Sequence, residues 1–98
     1  RQIDILSELA FFCMDLEAAG YPELSEYFMV CYTKRADTIH TEQERDLFIY
    51  YKAYRANVRA KVNALRMRDS AGQDFIKARN ECIKYLELME EYLNDLQG

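Results

Sequence analysis

The spacing of the apolar residues is the feature that most constrains how this chain can fold. They recur every three or four positions in four separate stretches, a pattern typical of helices with one buried face. Only three glycines and one proline occur among 98 residues. Long helices need that scarcity, because both residues destabilise a helix interior. The sequence therefore predicts an all-α protein of about four helices, forming a single domain over residues 1–98.

Local signals predict where the first two helices begin and end. Helix 1 is predicted from about Asp4 to Ala19. It is closed by Gly20, since glycine readily adopts the left-handed backbone that ends a helix. Helix 2 is predicted to begin at Pro22, whose missing N–H is not needed in a first helical turn, and to end near Arg35.

The second half of the chain predicts two longer helices. Thr41 and Glu44 have the spacing of a capping box, in which each side chain bonds the other's backbone. Helix 3 is predicted to continue to about Arg68, a length of about 40 Å. After a break at residues 69–72, helix 4 is predicted from about Gln73 to Gln97. The short break predicts a long antiparallel helix 3–helix 4 hairpin, with the shorter helices 1 and 2 packed along it.

Each long helix has one stripe of large apolar or aromatic residues that we expect to face inward. In helix 4 the stripe alternates by four and three, like a coiled-coil seam. The predicted stripe of helix 3 comprises Leu47, Tyr51, Tyr54, Val58, Val62 and Leu65. The predicted seam of helix 4 comprises Cys82, Leu86, Met89, Leu93 and Leu96.

Charge is distributed unevenly along the chain. Residues 1–44 have a net charge of −6, residues 45–72 of +5 and residues 73–98 of −3. The bases of helix 3 follow helical spacing, as do the acids of helix 1, so we expect them to pair between the helices. The candidate inter-helix polar network consists of Asp4, Glu8, Asp15, Tyr54, Arg55 and Arg59.

A second interpretation of helix 3 is a nucleic-acid surface. Tyr50, Tyr51 and Tyr54 alternate with its bases, as in a surface on which nucleotide bases stack. The net charge of −4 and the many acids available for pairing favour the internal network instead. We therefore expect no nucleic-acid partner.

Residues able to support catalysis or bind a metal are not grouped in the sequence. Asp4 and Glu8 lie four residues apart, but no Glu-x-x-His motif accompanies them, as it does in di-metal bundles. His40 is the only histidine and has no nucleophile near it in the sequence. We expect no catalytic, cofactor-binding or metal-binding residue in this chain.

The cysteines and hydropathy favour a cytoplasmic protein that does not enter a membrane. Cys13, Cys31 and Cys82 are odd in number and lie far apart in apolar stretches. Such cysteines are typical of reduced core residues. No stretch approaches the roughly 20 apolar residues of a membrane span, and no signal peptide is visible.

Two stretches together resemble a known family. They are Arg1–Glu17, RQIDILSELAFFCMDLE, and Tyr50–Val62, YYKAYRANVRAKV. Their order and separation are similar to the late part of an aminoglycoside-phosphotransferase-like kinase domain. They are most similar to that domain in bacterial two-part proteins, where it is joined to a C-terminal P-loop ATPase or kinase. A helix like residues 78–93 would then lead towards the P-loop part.

The resemblance implies a structural and not a catalytic role. The family's catalytic loop, its metal-binding aspartate, its nucleotide-binding lobe and the P-loop are all absent from residues 1–98. ATP and magnesium are therefore expected only in a larger parent protein, since phosphoryl transfer needs residues that hold both. The chain would be the helical C-terminal part of the phosphotransferase-like lobe, and its partner would be the rest of the parent polypeptide.

An alternative hypothesis is a stand-alone helical module for protein interaction or dimerisation. In that case the partner would be another protein or a second copy, bound through exposed apolar helix faces. A truncated lobe should also expose such faces, so the sequence leaves both hypotheses open.

Overall fold

The computed structural model describes the backbone of residues 2–98 and the side chains of residues 4–98. It contains four helices: α1 (Gln2–Ala18), α2 (Pro22–Arg35), α3 (Glu42–Arg68) and α4 (Gly72–Gln97). No strand occurs in residues 2–98. The predicted fold class is confirmed, and the predicted helix ends agree to within two residues.

The end of α1 shows why the first helix stops where the sequence predicts. Gly20 adopts a φ of 93°, a left-handed conformation that a residue with a Cβ rarely takes. Its N–H donates to the Glu17 carbonyl, and the Tyr21 N–H donates to the Leu16 carbonyl. These two bonds form a Schellman motif, which satisfies carbonyls that the helix end would leave free.

The capping box predicted at the start of α3 is confirmed. The Thr41 hydroxyl accepts from the Glu44 N–H at 3.0 Å, and the Glu44 carboxylate accepts from the Thr41 N–H at 3.2 Å. The carboxylate also accepts from the His40 N–H at 2.9 Å. These backbone bonds lower the pKa of Glu44.

Replacing Thr41 by alanine should lower the free energy of unfolding by about 1 kcal/mol, the usual cost of losing an N-cap side chain. Urea denaturation followed by circular dichroism measures the change. Thr33→Ala is the matched control, because the exposed Thr33 hydroxyl only bonds carbonyls within α2 and caps no helix. An equal loss in both variants would show that the cap contributes nothing specific.

The four helices form two hairpins that pack on each other. The long α3 and α4 pack antiparallel, and α1 and α2 form a shorter hairpin that packs on them through α1. The ring contact between Phe12 and Phe28 joins α1 to α2. One cluster of buried residues lies where α1 meets the long hairpin, and it consists of Met14, Ala18, Ala53, Ala56 and Tyr92.

The buried faces of α3 and α4 differ from the predicted ones. In α3 the buried residues are small: Ala53, Ala56, Ala60 and Asn63. The predicted stripe is only partly buried, because its members Tyr54, Val62 and Leu65 are exposed. Small side chains let neighbouring helices approach closely, so they and not the large residues mark the contact face of α3.

In α4, too, the most buried residues are not those of the predicted seam. Its buried residues are Ala78 and Tyr92, whereas Leu86 and Leu93 of the predicted seam are 42% and 40% exposed. The inward face of α4 is rotated by about a quarter-turn from the predicted seam. The predicted seam is therefore only partly buried: Cys82, Met89 and Leu96 are half-buried, and Met89 packs against the core cluster.

Candidate functional site

Three residues of the predicted network make polar contacts between α1 and α3. The Asp15 carboxylate of α1 lies 3.6 Å from the Arg55 guanidinium and 3.4 Å from that of Arg59, both on α3. The Arg55 guanidinium also lies over the Phe11 ring, 5.0 Å from its centroid. All three charged side chains are partly exposed, so each ion pair contributes at most about 1 kcal/mol.

The other three predicted residues do not join this contact. Asp4 and Glu8 are exposed on α1. Within residues 4–98 neither carboxylate forms an ion pair. Tyr54 is exposed on α3. The acids of helix 1 therefore do not all turn towards the bases of helix 3, since Asp4 and Glu8 lie on the exposed side of α1.

A second polar cluster, absent from the prediction, is centred on Glu17. Its carboxylate accepts from the Ser25 hydroxyl at 2.8 Å, from the Lys52 ammonium at 3.2 Å and from the Tyr92 hydroxyl at 2.5 Å. The Lys52 ammonium also lies 4.6 Å from the centroid of the Tyr92 ring. Because these residues come from α1, α2, α3 and α4, the Glu17 cluster ties all four helices together at one point.

The surroundings of the cluster raise the pKa values of two groups, the Tyr92 phenol and the neighbouring Cys13 thiol. Burial raises the pKa of Tyr92, and the hydrogen bond to Glu17 and the charge of that carboxylate raise it further. Burial also raises the pKa of the Cys13 thiol, although a hydrogen bond with Ser25 opposes the shift. A nucleophilic thiol needs a lowered pKa, so this environment does not activate Cys13.

The arrangement can stabilise the fold but cannot act on a substrate. Ser25 is 2% exposed and Cys13 is fully buried, so no reactant reaches either atom. The Ser25 hydroxyl donates to a carboxylate that is already shared with an ammonium and a phenol, and catalytic hydroxyls need a neighbouring base that is free to accept their proton. We conclude that the Glu17 cluster is structural.

Tyr92 should make the fold sensitive to alkaline pH. In the unfolded chain the phenol ionises near its ordinary value of about 10, whereas in the folded chain it stays protonated to a higher pH. The folded state then holds more protons, so the free energy of unfolding should fall by about 1.4 kcal/mol per pH unit above about pH 10. That contribution is fully present below pH 10.

Urea denaturation between pH 9 and pH 11 tests this dependence. Tyr92→Phe should make the loss of stability with rising pH less steep, whatever its effect on stability at pH 7. The exposed Tyr50 provides the control, because Tyr50→Phe should leave the slope unchanged. Equal slopes for the parent chain and Tyr92→Phe would contradict the predicted role of Tyr92.

Two open grooves lie on the long hairpin, away from the Glu17 cluster. One, of about 680 Å³, lies between α3 and α4 near their connection and has both apolar and charged walls, among them Val62, Leu65, Lys77 and Glu81. The other, of about 530 Å³, runs along the outer side of α4. Neither contains a recognisable catalytic grouping.

The described part of the chain contains neither a metal-binding group nor a membrane-spanning helix. Within it, no group of three or more His, Cys, Asp or Glu side chains could hold a metal ion. His40 lies in the exposed loop before α3, with its Nε2 atom 3.2 Å from Asp37. No helix within residues 2–98 is both long enough and apolar enough to cross a membrane.

The chain is similar to uncharacterized proteins of mycobacteria. The chain is 34% identical, over 93 residues, to the uncharacterized protein Rv2004c of Mycobacterium tuberculosis strain H37Rv and to the uncharacterized protein Mb2027c of Mycobacterium bovis. The match covers 95% of this chain but only 17% of each relative. No family model matches the chain, and no solved structure matches it.

Proposed function

We propose that this chain is a helical structural subdomain of an aminoglycoside-phosphotransferase-like protein and is not catalytic by itself. The observation that carries the proposal is the contact of Asp15 with Arg55 and Arg59. Asp15 belongs to the first stretch that resembles the family, and the two arginines belong to the second. The side chains of Arg1, Gln2 and Ile3 in the first stretch lie outside the described residues.

The lengths of the mycobacterial relatives support a role within a larger protein. Nearly all of this chain aligns with about one sixth of each relative, so a segment of this kind occurs inside much longer polypeptides. In the proposed bacterial two-part protein, ATP and magnesium would be bound by the parent's other parts, in the cytoplasm. No residue of this chain is assigned to either.

A second candidate function is a stand-alone interaction module. The observation that favours it is the apolar surface of α2 and α4, where Leu24, Val30 and Ile83 are each about half exposed. A protein surface rarely leaves large apolar areas uncovered without a partner.

Two measurements distinguish the proposed subdomain from the interaction module. They are the intact mass of the natural gene product in its source cells and an ATP turnover assay of that product. The proposed subdomain requires a product several times heavier than 11.6 kDa that transfers phosphate from ATP, while the purified 98-residue chain does not. A natural product of 11.6 kDa would overturn the proposal and favour the interaction module. A heavier product that neither binds nor consumes ATP would also overturn it.

A further inference from the structure

One face of α4 carries a partly exposed apolar seam. Its members follow coiled-coil spacing over about five turns, with Arg79 at the position between Phe75 and Cys82, and each member is either half-buried or exposed. We call this set the α4 seam: Phe75, Cys82, Leu86, Met89 and Leu93. Ile83 lies beside it and is also exposed. An open groove of about 530 Å³ follows the C-terminal half of this surface.

Most of the seam is not used for the packing of α4 on α3 and α1. That packing is centred on a neighbouring face, on which Ala78 and Tyr92 are buried and Tyr85 is partly buried. Met89, at the edge of the seam, also packs against the core cluster. A two-sided apolar helix is costly to leave in water, since apolar area contributes about 25 cal/mol per Å² when it is removed from solvent. The α4 seam therefore has the properties of a surface that binds another apolar surface.

Charge along α4 is divided between its two halves. Residues 72–84 contain three bases and two acids, a net charge of +1, whereas residues 85–98 contain four acids and no base, a net charge of −4. A parallel neighbour of the same kind would place acids beside acids. An antiparallel copy would place Arg79, the base next to the seam, beside the acidic half of the other helix, which is favourable.

We propose that α4 binds the α4 of a second copy of this chain, antiparallel and about a two-fold axis. With the axis near the middle of the 26-residue helix, Phe75 lies opposite Leu93 of the other copy and Cys82 opposite Leu86. Arg79 then lies beside Glu90 of the other copy, and the symmetry repeats this pair. The interface closes on itself, because the same surface is used by both copies.

This inference does not depend on the proposed phosphotransferase-like parent. It rests on the α4 seam and on the division of charge within α4, both of which belong to the 98-residue chain. Its test is an oligomeric state, whereas that of the proposed function is the mass and ATP turnover of the natural product. Either can fail without the other.

Sedimentation equilibrium of the folded 98-residue chain is the first measurement. We expect a concentration-dependent dimer with twice the mass of 11.6 kDa, with folding checked by circular dichroism. Leu86→Glu should abolish the dimer, and Leu24→Glu, on the equally exposed surface of α2, should not. A chain that stays monomeric at all concentrations would overturn the proposal.

Charge reversal tests the antiparallel geometry without removing any apolar contact. Arg79→Glu and Glu90→Arg should each weaken the dimer about tenfold, because two symmetric attractions become repulsions, and the double variant should restore it. Lys77→Glu and Glu91→Arg make the same charge changes away from the seam and should leave the dimer unchanged. The proposal would also be overturned if neither Arg79→Glu nor Glu90→Arg weakened the dimer, or if the double variant did not restore it.

Discussion

Replacing Glu17 by alanine is expected to lower the free energy of unfolding by about 3 kcal/mol, the usual cost of leaving one charge of a buried ion pair without its partner. The Glu17 and Lys52 side chains are only 17% and 14% exposed. Removing the carboxylate leaves the Lys52 ammonium without its partner in a poorly solvated position. It also removes the acceptor of the Tyr92 and Ser25 hydroxyls, and unsatisfied buried donors are costly.

A double-mutant cycle with Lys52→Met separates the loss of the ion pair from general damage to the core. If the unpaired charge causes most of the loss, the variant with both Glu17→Ala and Lys52→Met should lose less stability than the sum of the losses in the two single variants. Asp15→Ala is the control, since that carboxylate is 37% exposed and its loss should cost less than about 1 kcal/mol. A cost for Glu17→Ala no greater than that for Asp15→Ala, measured by urea denaturation, would contradict the central role of Glu17.

Spacing along one helix explains why the sequence indicates Asp15 but not Glu17. Asp4, Glu8 and Asp15 are separated by four and seven residues, which places them on one side of a helix, and Glu17 lies off that series. Its partners Ser25, Lys52 and Tyr92 come from three other helices, and their meeting depends on the angles at which helices cross. Periodicity within a helix does not contain those angles, so the Glu17 cluster had no signal in the sequence beyond the basic character of helix 3.

Helix ends were predictable because they are determined by local chemistry. Gly20 supplies the left-handed residue that ends α1, and Thr41 and Glu44 supply the paired bonds that begin α3. Each signal involves residues within a few positions of one another, and no tertiary contact is needed to produce it. The fold class followed from the same local information together with the apolar spacing.

The contact faces of the long helices were not predictable by the same rule. Apolar spacing selects the stripe with the largest side chains, whereas the distance between packed helices is set by the smallest ones. In α3 the spacing of Ala53, Ala56 and Ala60 is as regular as that of the tyrosines and valines, but alanines contribute little to a hydrophobic pattern. The structure shows that the alanine face is the buried one.

Ala56 lies on this buried alanine face. It is fully buried in the cluster that contains Met14 and Tyr92, and its methyl group lies where α1 and α4 both approach α3. Ala56→Leu should lower the free energy of unfolding by about 3 kcal/mol, the upper part of the usual range for overfilling a packed core. If the predicted stripe of large residues were the true contact face, the same substitution would lie away from the core and change little.

Ala64→Leu is the matched control for Ala56→Leu, because Ala64 is on the same helix but exposed. A leucine there should change the stability by no more than about 0.5 kcal/mol. Both variants exchange alanine for leucine within α3, so the change in helix propensity is the same in each. They differ in whether the added atoms point towards the core or towards solvent. A large loss confined to Ala56→Leu would show that close approach over small residues holds the two hairpins together, and equal effects would show that α3 does not pack through its alanines.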